Sequence, residues 1–308
     1  MSDGVDVLVI GPGAMGCLHA ARLATAGFRV GLLDHDADRA ARLSERGITA
    51  EMAEGTSTVQ VRCSADAAKF APAHLAMLFV KAYDTGDAVT HALPALGEKA
   101  TVLTLQNGLG NCERISDIVA PARVLAGAST TGATLLGEGH VREAGRGLVQ
   151  IGSPTGNQRR LRDAAGLLER GGISCEPVAS VDEALWAKAI VNAAINPLTA
   201  LTGLPNGQLV EVPELRAMLR AVTREATAIA RRLGIFVNEG IVSIVEAICV
   251  QTAENRSSML QDIAASRRTE IDYINGEIAR RAEERGLEAP LCRMLTALVR
   301  GLEKANQT

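Results

Sequence analysis

Aromatic side chains are almost missing from this chain: one Trp, two Tyr and four Phe in 308 residues, 2% of the total. So few rings leave few platforms on which bases could stack. Positive charge is not in excess either. Thirty-two Lys and Arg face 35 Asp and Glu, for a formal net charge of −3, which gives no general attraction to nucleic acid or to an anionic membrane. A nucleic-acid partner is therefore not expected. Nor is there a stretch of ~20 uninterrupted apolar residues, the length that a membrane-spanning helix needs. The N-terminus reads Ser2-Asp3-Gly4-Val5-Asp6, acidic where a signal peptide would be basic. The six cysteines (Cys17, Cys63, Cys112, Cys175, Cys249 and Cys292) are scattered, with no CxxC pair. That spacing does not suit zinc and fits reduced, mostly buried thiols. The expectation is a cytoplasmic protein without a metal or a membrane anchor.

What the chain does have is enough apolar residues to build about two domains. An apolar fraction of 47% and a charged fraction of 22% suit a globular protein. The N-terminal segment is the most telling. A strand, Val5 to Ile10, runs into Gly11-Pro12-Gly13-Ala14-Met15-Gly16, then into an alanine-rich helical stretch and a second strand, Arg29 to Leu33, that ends at Asp34. A GxGxxG pattern alone also marks ordinary turns. Here strand, helix and an acid eighteen residues after Gly16 agree with a dinucleotide site. Gly11 would make the tight turn, Gly13 would let backbone approach a pyrophosphate, and Gly16 would let helix and strand pack closely. The backbone of Ala14 and Met15 would open the helix whose positive end receives the phosphates. Asp34 stands where an acid accepts both ribose hydroxyls, so NAD(H) is preferred. NADP(H) is disfavoured, with Arg39 and a protonated His35 as the groups that would admit it. The competing reading makes Asp34 a solvated loop acid.

The first half goes on alternating strands with helices, which predicts a parallel sheet covered on both faces. Strands are expected at Thr58–Cys63, Leu75–Val80, Ala100–Gln106, Arg123–Ser129 and Gly147–Ile151, with helices over Thr85–Leu96 and Cys112–Val119. Around Thr130–Gly147 a hairpin is expected, making the sheet mixed at one edge. From about Asp182 the pattern is helical: Asp182–Ile195, Pro213–Leu233, Glu239–Ala253, Thr269–Arg285 and Leu291–Ala305. The expected division is residues 1–180 and 181–308, with a substrate cleft between them.

Within the helical half, Lys188, Asn192 and Asn196 stand at i, i+4, i+8 among Ala, Ile and Val. On an unbroken helix they share a face within about 80° of rotation, although Pro197 could kink or end that helix. One cation and two amides amid alanines suggest a lined cavity; the alternative is a solvated polar stripe. Thr269 and Asp272 resemble a capping box, so on spacing alone Glu270 has a helix-dipole role.

Together these residues resemble the ketopantoate reductase (2-dehydropantoate 2-reductase) family over essentially the whole chain. GPGAMG, Phe79-Val80-Lys81-Ala82-Tyr83, Gln106-Asn107-Gly108-Leu109-Gly110, KAIVNAAINPLTAL, PNGQL, NRSSMLQDI and TEIDYINGEIARRA each look like one of its motifs. The resemblance implies an α/β Rossmann-type N-terminal domain and a mostly α-helical C-terminal domain. It implies an NAD(P)-dependent oxidoreductase reducing 2-dehydropantoate to (R)-pantoate, in the pathway to pantothenate. Lys188 would be the general acid, and Glu270 would hold the substrate's 4-hydroxyl and orient Lys188. Asn192, Asn196 and Ser258 would bind the carboxylate and hydroxyls, with Asn206 assisting. Lys81 and Asn107 would lie on the cofactor side. Asp34-His35 departs from NADPH-using members, which tend to have a basic residue there. That departure leaves open a dehydrogenase of the same fold acting on another 2-oxo or hydroxy acid. A non-catalytic NAD sensor is the reading from another class. The apolar faces of the helical half are compatible with a homodimer.

Overall fold

The computed structural model describes residues 4–306. The chain divides into two units: residues up to Gln106 with Asn111–Val181, and Asn107–Gly110 with the residues from Asp182 onward.

Among its described residues the first unit contains twelve strands: β1 (Val5–Ile10), β2 (Val30–Leu33), β3 (Ile48–Met52), β4 (Gly55–Val59), β5 (Arg62–Ser64), β6 (Ala73–Leu78), β7 (Thr101–Thr104), β8 (Val124–Ser129), β9 (Gly132–Gly137), β10 (His140–Gly145), β11 (Val149–Gly152) and β12 (Cys175–Pro177). Eight of them form one sheet in the order β12-β11-β8-β7-β6-β1-β2-β5. Every pair in it is parallel except β11 with β8. The helices of this unit are α1 (Ala14–Thr25), α2 (Ala37–Arg46), α3 (Thr85–Leu96), α4 (Asn111–Ser116) and α5 (Gln158–Arg170). The strands are near-continuous Val, Leu, Ile and Ala because both faces are covered. From β1 the chain moves one way to β2 and the other way to β6, β7 and β8. The carboxyl ends of β1 and β6 therefore flank the point where strand order reverses, the place where such sheets bind ligands.

The expected hairpin exists, as β9 and β10 in antiparallel pairing. It does not edge the main sheet. It joins β3 and β4 in a second sheet of order β4-β3-β10-β9. The mixed character of the main sheet comes from β11 instead. α1 packs against β1 and β2 of the main sheet and against β3, β9 and β10 of the small one. That is why Cys17, Leu18, Ala20, Ala21 and Leu23 are all fully buried on so short a helix. The expected strand over Thr58–Cys63 is in fact the end of β4 and the start of β5.

The second unit is helical among its described residues: α6 (Val181–Thr202, entered from the first unit), α7 (Gln208–Glu211), α8 (Pro213–Arg232), α9 (Ile241–Gln251), α10 (Ser258–Ala264), α11 (Asn275–Glu283) and α12 (Pro290–Ala305). Pro213 opens α8 and Gly234, at φ +83°, follows its end. The core is built by Trp186, Ile190, Leu219, Val222, Val245, Ile278 and Val299 from five helices. Two expectations need correction. α6 does not stop at Ile195 but runs through Pro197 to Thr202. The expected helix from Thr269 is instead a 3-10 turn, Ile271–Tyr273, broken at Ile274 (φ −107°, ψ −90°) before α11 starts. All six cysteines are free thiols, five of them buried. No helix among the described residues is long and apolar enough to cross a membrane.

Candidate active site

In the first unit, the turn after β1 has the geometry that its glycines suggest. Gly11 sits at φ +100°, and a Cβ there would lie 2.8 Å from Val80 Cγ1. A Cβ on Gly16 would come within 2.0 Å of the Gly11 carbonyl oxygen, so only glycine fits between α1 and the turn. Gly13 differs: a Cβ there would meet nothing within 4 Å. Its missing side chain does nothing for internal packing and leaves room for something outside the chain. Gly13 is also the N-cap of α1, with no side-chain cap and no acid in the first turn that holds Ala14 and Met15. The positive end of α1 is thus left for an external anion, and the residues present fit a dinucleotide's pyrophosphate.

Asp34 ends β2 close by, but it is not a solvated loop acid. Its side chain is fully buried, and Arg39 donates from Nε to Oδ2 and from Nη2 to Oδ1, both at 2.5 Å. The Asp36 amide adds a bond to Oδ1 at 3.2 Å. Arg39 in turn is fixed by the first turn of α2, where its own amide bonds the Asp36 N-cap. Lys81, beyond the end of β6, is half-buried at the start of a 3-10 turn, Ala82–Asp84.

The second unit gathers most of the other candidates. Because α6 is unbroken, Lys188, Asn192 and Asn196 do share one helix face. Lys188 and Asn192 are half-buried and Asn196 is buried. Burial lowers the Lys188 pKa to about 8, and the Glu270 charge pulls it back up in part. The Lys188 side chain makes no hydrogen bond or ion pair among the described residues. Glu270 is 6% exposed and sits at the N-cap of the 3-10 turn, not inside an α-helix. The capping-box expectation also fails: Thr269 Oγ1 accepts from the Ile271 amide, while Asp272 pairs with Arg300 at 2.6 Å. The Glu270 carboxylate accepts from Asn107, whose Nδ2 lies 3.5 Å from Oε2.

Asn107 is placed by a local device. Gly108, at φ +83°, lets the loop after β7 lie flat on Tyr273, where a Cβ would come within 2.4 Å of the Tyr273 carbonyl oxygen. The Leu109 amide then donates to that oxygen at 2.8 Å. Ser258 is the exposed first residue of α10. Its neighbour Ser257, which sequence reasoning missed, is the buried N-cap and shares a 2.7 Å hydrogen bond with Thr199 of α6. Thr199 itself donates to the Asn196 carbonyl at 2.9 Å. Asn206 is held by other partners: its amide N–H donates to the Asn255 carbonyl and its Nδ2 to Thr252. Among the described residues no cluster of His, Cys, Asp and Glu could hold a metal.

Residues 7–156 match the model of the family described as "Ketopantoate reductase PanE/ApbA", and residues 180–303 match its C-terminal counterpart. The chain is 37% identical over 296 residues to a 2-dehydropantoate 2-reductase of Halobacterium salinarum, covering 96% of this chain and 97% of that one. It is 35% identical to one from Archaeoglobus fulgidus, with coverage of 96% and 97%. Among solved structures, a PanE/ApbA family ketopantoate reductase from Ralstonia eutropha JMP134 superposes with a TM-score of 0.89 at 33% identity, over 98% of this chain and 99% of that one. A D-mandelate dehydrogenase in complex with NADH and anilino(oxo)acetate gives 0.93 at 25% identity, with coverage of 98% and 99%. The family models span most of the chain and the curated relatives nearly all of it, so the chain belongs to the ketopantoate reductase family of NAD(P)-dependent oxidoreductases.

Proposed function

We propose that this enzyme reduces 2-dehydropantoate to (R)-pantoate, with Lys188 as the proton donor. The observation that carries the reading is the placing of one amine, with its pKa lowered to about 8, on an apolar helix face in line with Asn192 and Asn196 and within the field of Glu270. An amine in that range is mostly protonated at neutral pH yet gives up its proton readily, which is what a general acid must do.

When bound, the dihydronicotinamide supplies a hydride to the substrate's C2. Lys188 Nζ gives its proton to the C2 oxygen, so that the ketone becomes an alcohol and the amine is left neutral. In the reverse direction the neutral amine takes that proton back. Glu270 accepts a hydrogen bond from the 4-hydroxyl, and its charge keeps Lys188 more protonated than burial alone would. Asn192, Asn196 and Ser258 hold the carboxylate and hydroxyls, with Asn206 contributing from its loop. In the first unit, Gly11, Gly13, Ala14, Met15 and Gly16 cradle the pyrophosphate and Lys81 serves the nicotinamide side, as does Asn107 of the second unit.

A second reading is a dehydrogenase for another 2-hydroxy acid using NAD. Asp34 at the end of β2 and the likeness to the D-mandelate enzyme favour it. The test is kcat/KM for 2-dehydropantoate beside smaller and aryl 2-oxo acids, each with NADH and with NADPH. A clear advantage for 2-dehydropantoate is expected; no advantage moves the assignment to the second reading. A non-catalytic sensor requires Lys188→Ala to lose nothing, whereas a fall in kcat of roughly 100-fold or more is expected.

A further inference from the structure

Pro197 lies inside α6, one residue after Asn196 and nine after Lys188. A proline has no N–H, so it cannot bond the carbonyl four residues back, and its ring pushes that carbonyl outward. The carbonyl in question belongs to Ala193, beside Asn192. Left alone in a buried core, it would be an unsatisfied acceptor at which the helix bends. Instead, Asn275 Nδ2 donates to the Ala193 oxygen at 3.0 Å.

Asn275 is fully buried, and the one other hydrogen-bond contact of its Nδ2 among the described residues is Cys292 Sγ at 4.0 Å. Its Oδ1 has no hydrogen-bond partner among the described residues. Burying an amide with one end unsatisfied is costly, so packing alone does not account for this residue: an apolar side chain of the same shape would fill the space without that penalty. The amide's use is to supply the donor that Pro197 cannot. Asn275 also begins α11, five residues after Glu270, immediately beyond the break at Ile274. The same hydrogen bond therefore ties the segment carrying Glu270 to the helix carrying Lys188, Asn192 and Asn196.

We propose that Asn275 is a positioning residue: its side-chain amide replaces the backbone donor lost at Pro197, and so keeps the Lys188–Asn192–Asn196 face straight and in register with Glu270. The proposal rests on Lys188 being the proton donor. It predicts a specific rescue, because Pro197→Ala returns an N–H to the helix and makes the Asn275 amide dispensable.

The experiment is a double-mutant cycle of Asn275→Leu, Pro197→Ala and the double variant in the full-length chain, with Asn275→Ala as a smaller replacement if Asn275→Leu does not fold. Three readouts are taken: kcat with 2-dehydropantoate, the pH at which kcat breaks, and hydrogen–deuterium exchange over residues 189–200, which does not depend on chemistry at Lys188. Asn275→Leu is expected to lower kcat about tenfold or more, to move the pH break and to speed exchange in α6, while NADH affinity stays within about twofold. The double variant is expected to recover most of all three. Changes within twofold in Asn275→Leu overturn the proposal. So does an equal loss in the Pro197→Ala background, which would make Asn275 a packing residue, and so does faster exchange with unchanged kcat. Failure of the underlying reading is visible separately, as Lys188→Ala retaining turnover.

Discussion

The Arg39 guanidinium grips the Asp34 carboxylate with both arms of its fork, at 2.5 Å each, and buries it completely. The acid that would receive the ribose hydroxyls is thus already engaged, and its partner is a cation suited to a 2′-phosphate. Removing either member should tip the balance. Arg39→Ala is expected to tighten NADH and weaken NADPH, and Asp34→Asn to do the opposite, each by about tenfold (~1.4 kcal/mol). Fluorescence titration of the reduced cofactors, without substrate, checks this; equal changes for both cofactors would refute it.

The pH dependence follows from the sign of the Lys188 shift. Burial lowers its pKa from 10.5 to about 8, so the protonated donor is depleted above about pH 8. Reductive kcat should fall there by about one decade per pH unit, and the oxidative rate should rise toward the same point. A reductive profile flat to pH 10 would rule out this amine as the acid.

A cation whose folded pKa is depressed weakens the fold wherever it is charged. For Lys188 that weakening is absent above pH 10.5, sets in as pH falls toward about 8, and is complete below. Lys188→Met should therefore be the more stable protein at pH 7, by on the order of 2 kcal/mol given that the side chain is only half-buried. The difference should close between pH 8 and 10.5. Urea unfolding at pH 7 and pH 10 measures it.

Glu270 acts on the amine in the opposite direction from burial, raising its pKa. Glu270→Gln is expected to move the kcat break to lower pH and, through loss of the proposed 4-hydroxyl contact, to raise KM for 2-dehydropantoate. An unchanged break would show that Glu270 does not act on Lys188.

The glycines of the nucleotide turn should separate into two kinds. Gly16→Ala forces a Cβ to 2.0 Å from the Gly11 oxygen, and overpacking of that sort costs about 1–3 kcal/mol of stability. Gly13→Ala adds a Cβ that meets nothing within 4 Å in the chain, so its Tm should hold while NADH affinity falls about tenfold or more. Thermal melts with and without cofactor distinguish the two.

Much of this was legible in the sequence because it rests on local rules. The GPGAMG turn, the strand before it and the helix after it are set by neighbouring residues, and all three are present. The i, i+4, i+8 spacing of Lys188, Asn192 and Asn196 placed them on one face as soon as the helix proved continuous. What was misread depends on partners distant in the chain. The hairpin β9–β10 follows from its glycines, but its sheet is decided by β3 and β4, about ninety residues earlier. Pro197 alone argues for a helix end, and only the Asn275 amide, seventy-eight residues on, removes that argument. Arg39 is ordinary in sequence and becomes the lock on Asp34 only when α2 sets its angle.

The chain by itself determined its class, its glycine-rich turn and the line of polar groups on α6, since backbone sterics and helical periodicity act within a few residues. Tertiary structure decided which of those groups carry a shifted charge and which are already paired. Burial of Lys188, the placing of Glu270 before a 3-10 turn and not within an α-helix, and the engagement of Asp34 by Arg39 are all set by desolvation and contact. Those quantities exist only once distant segments have packed together.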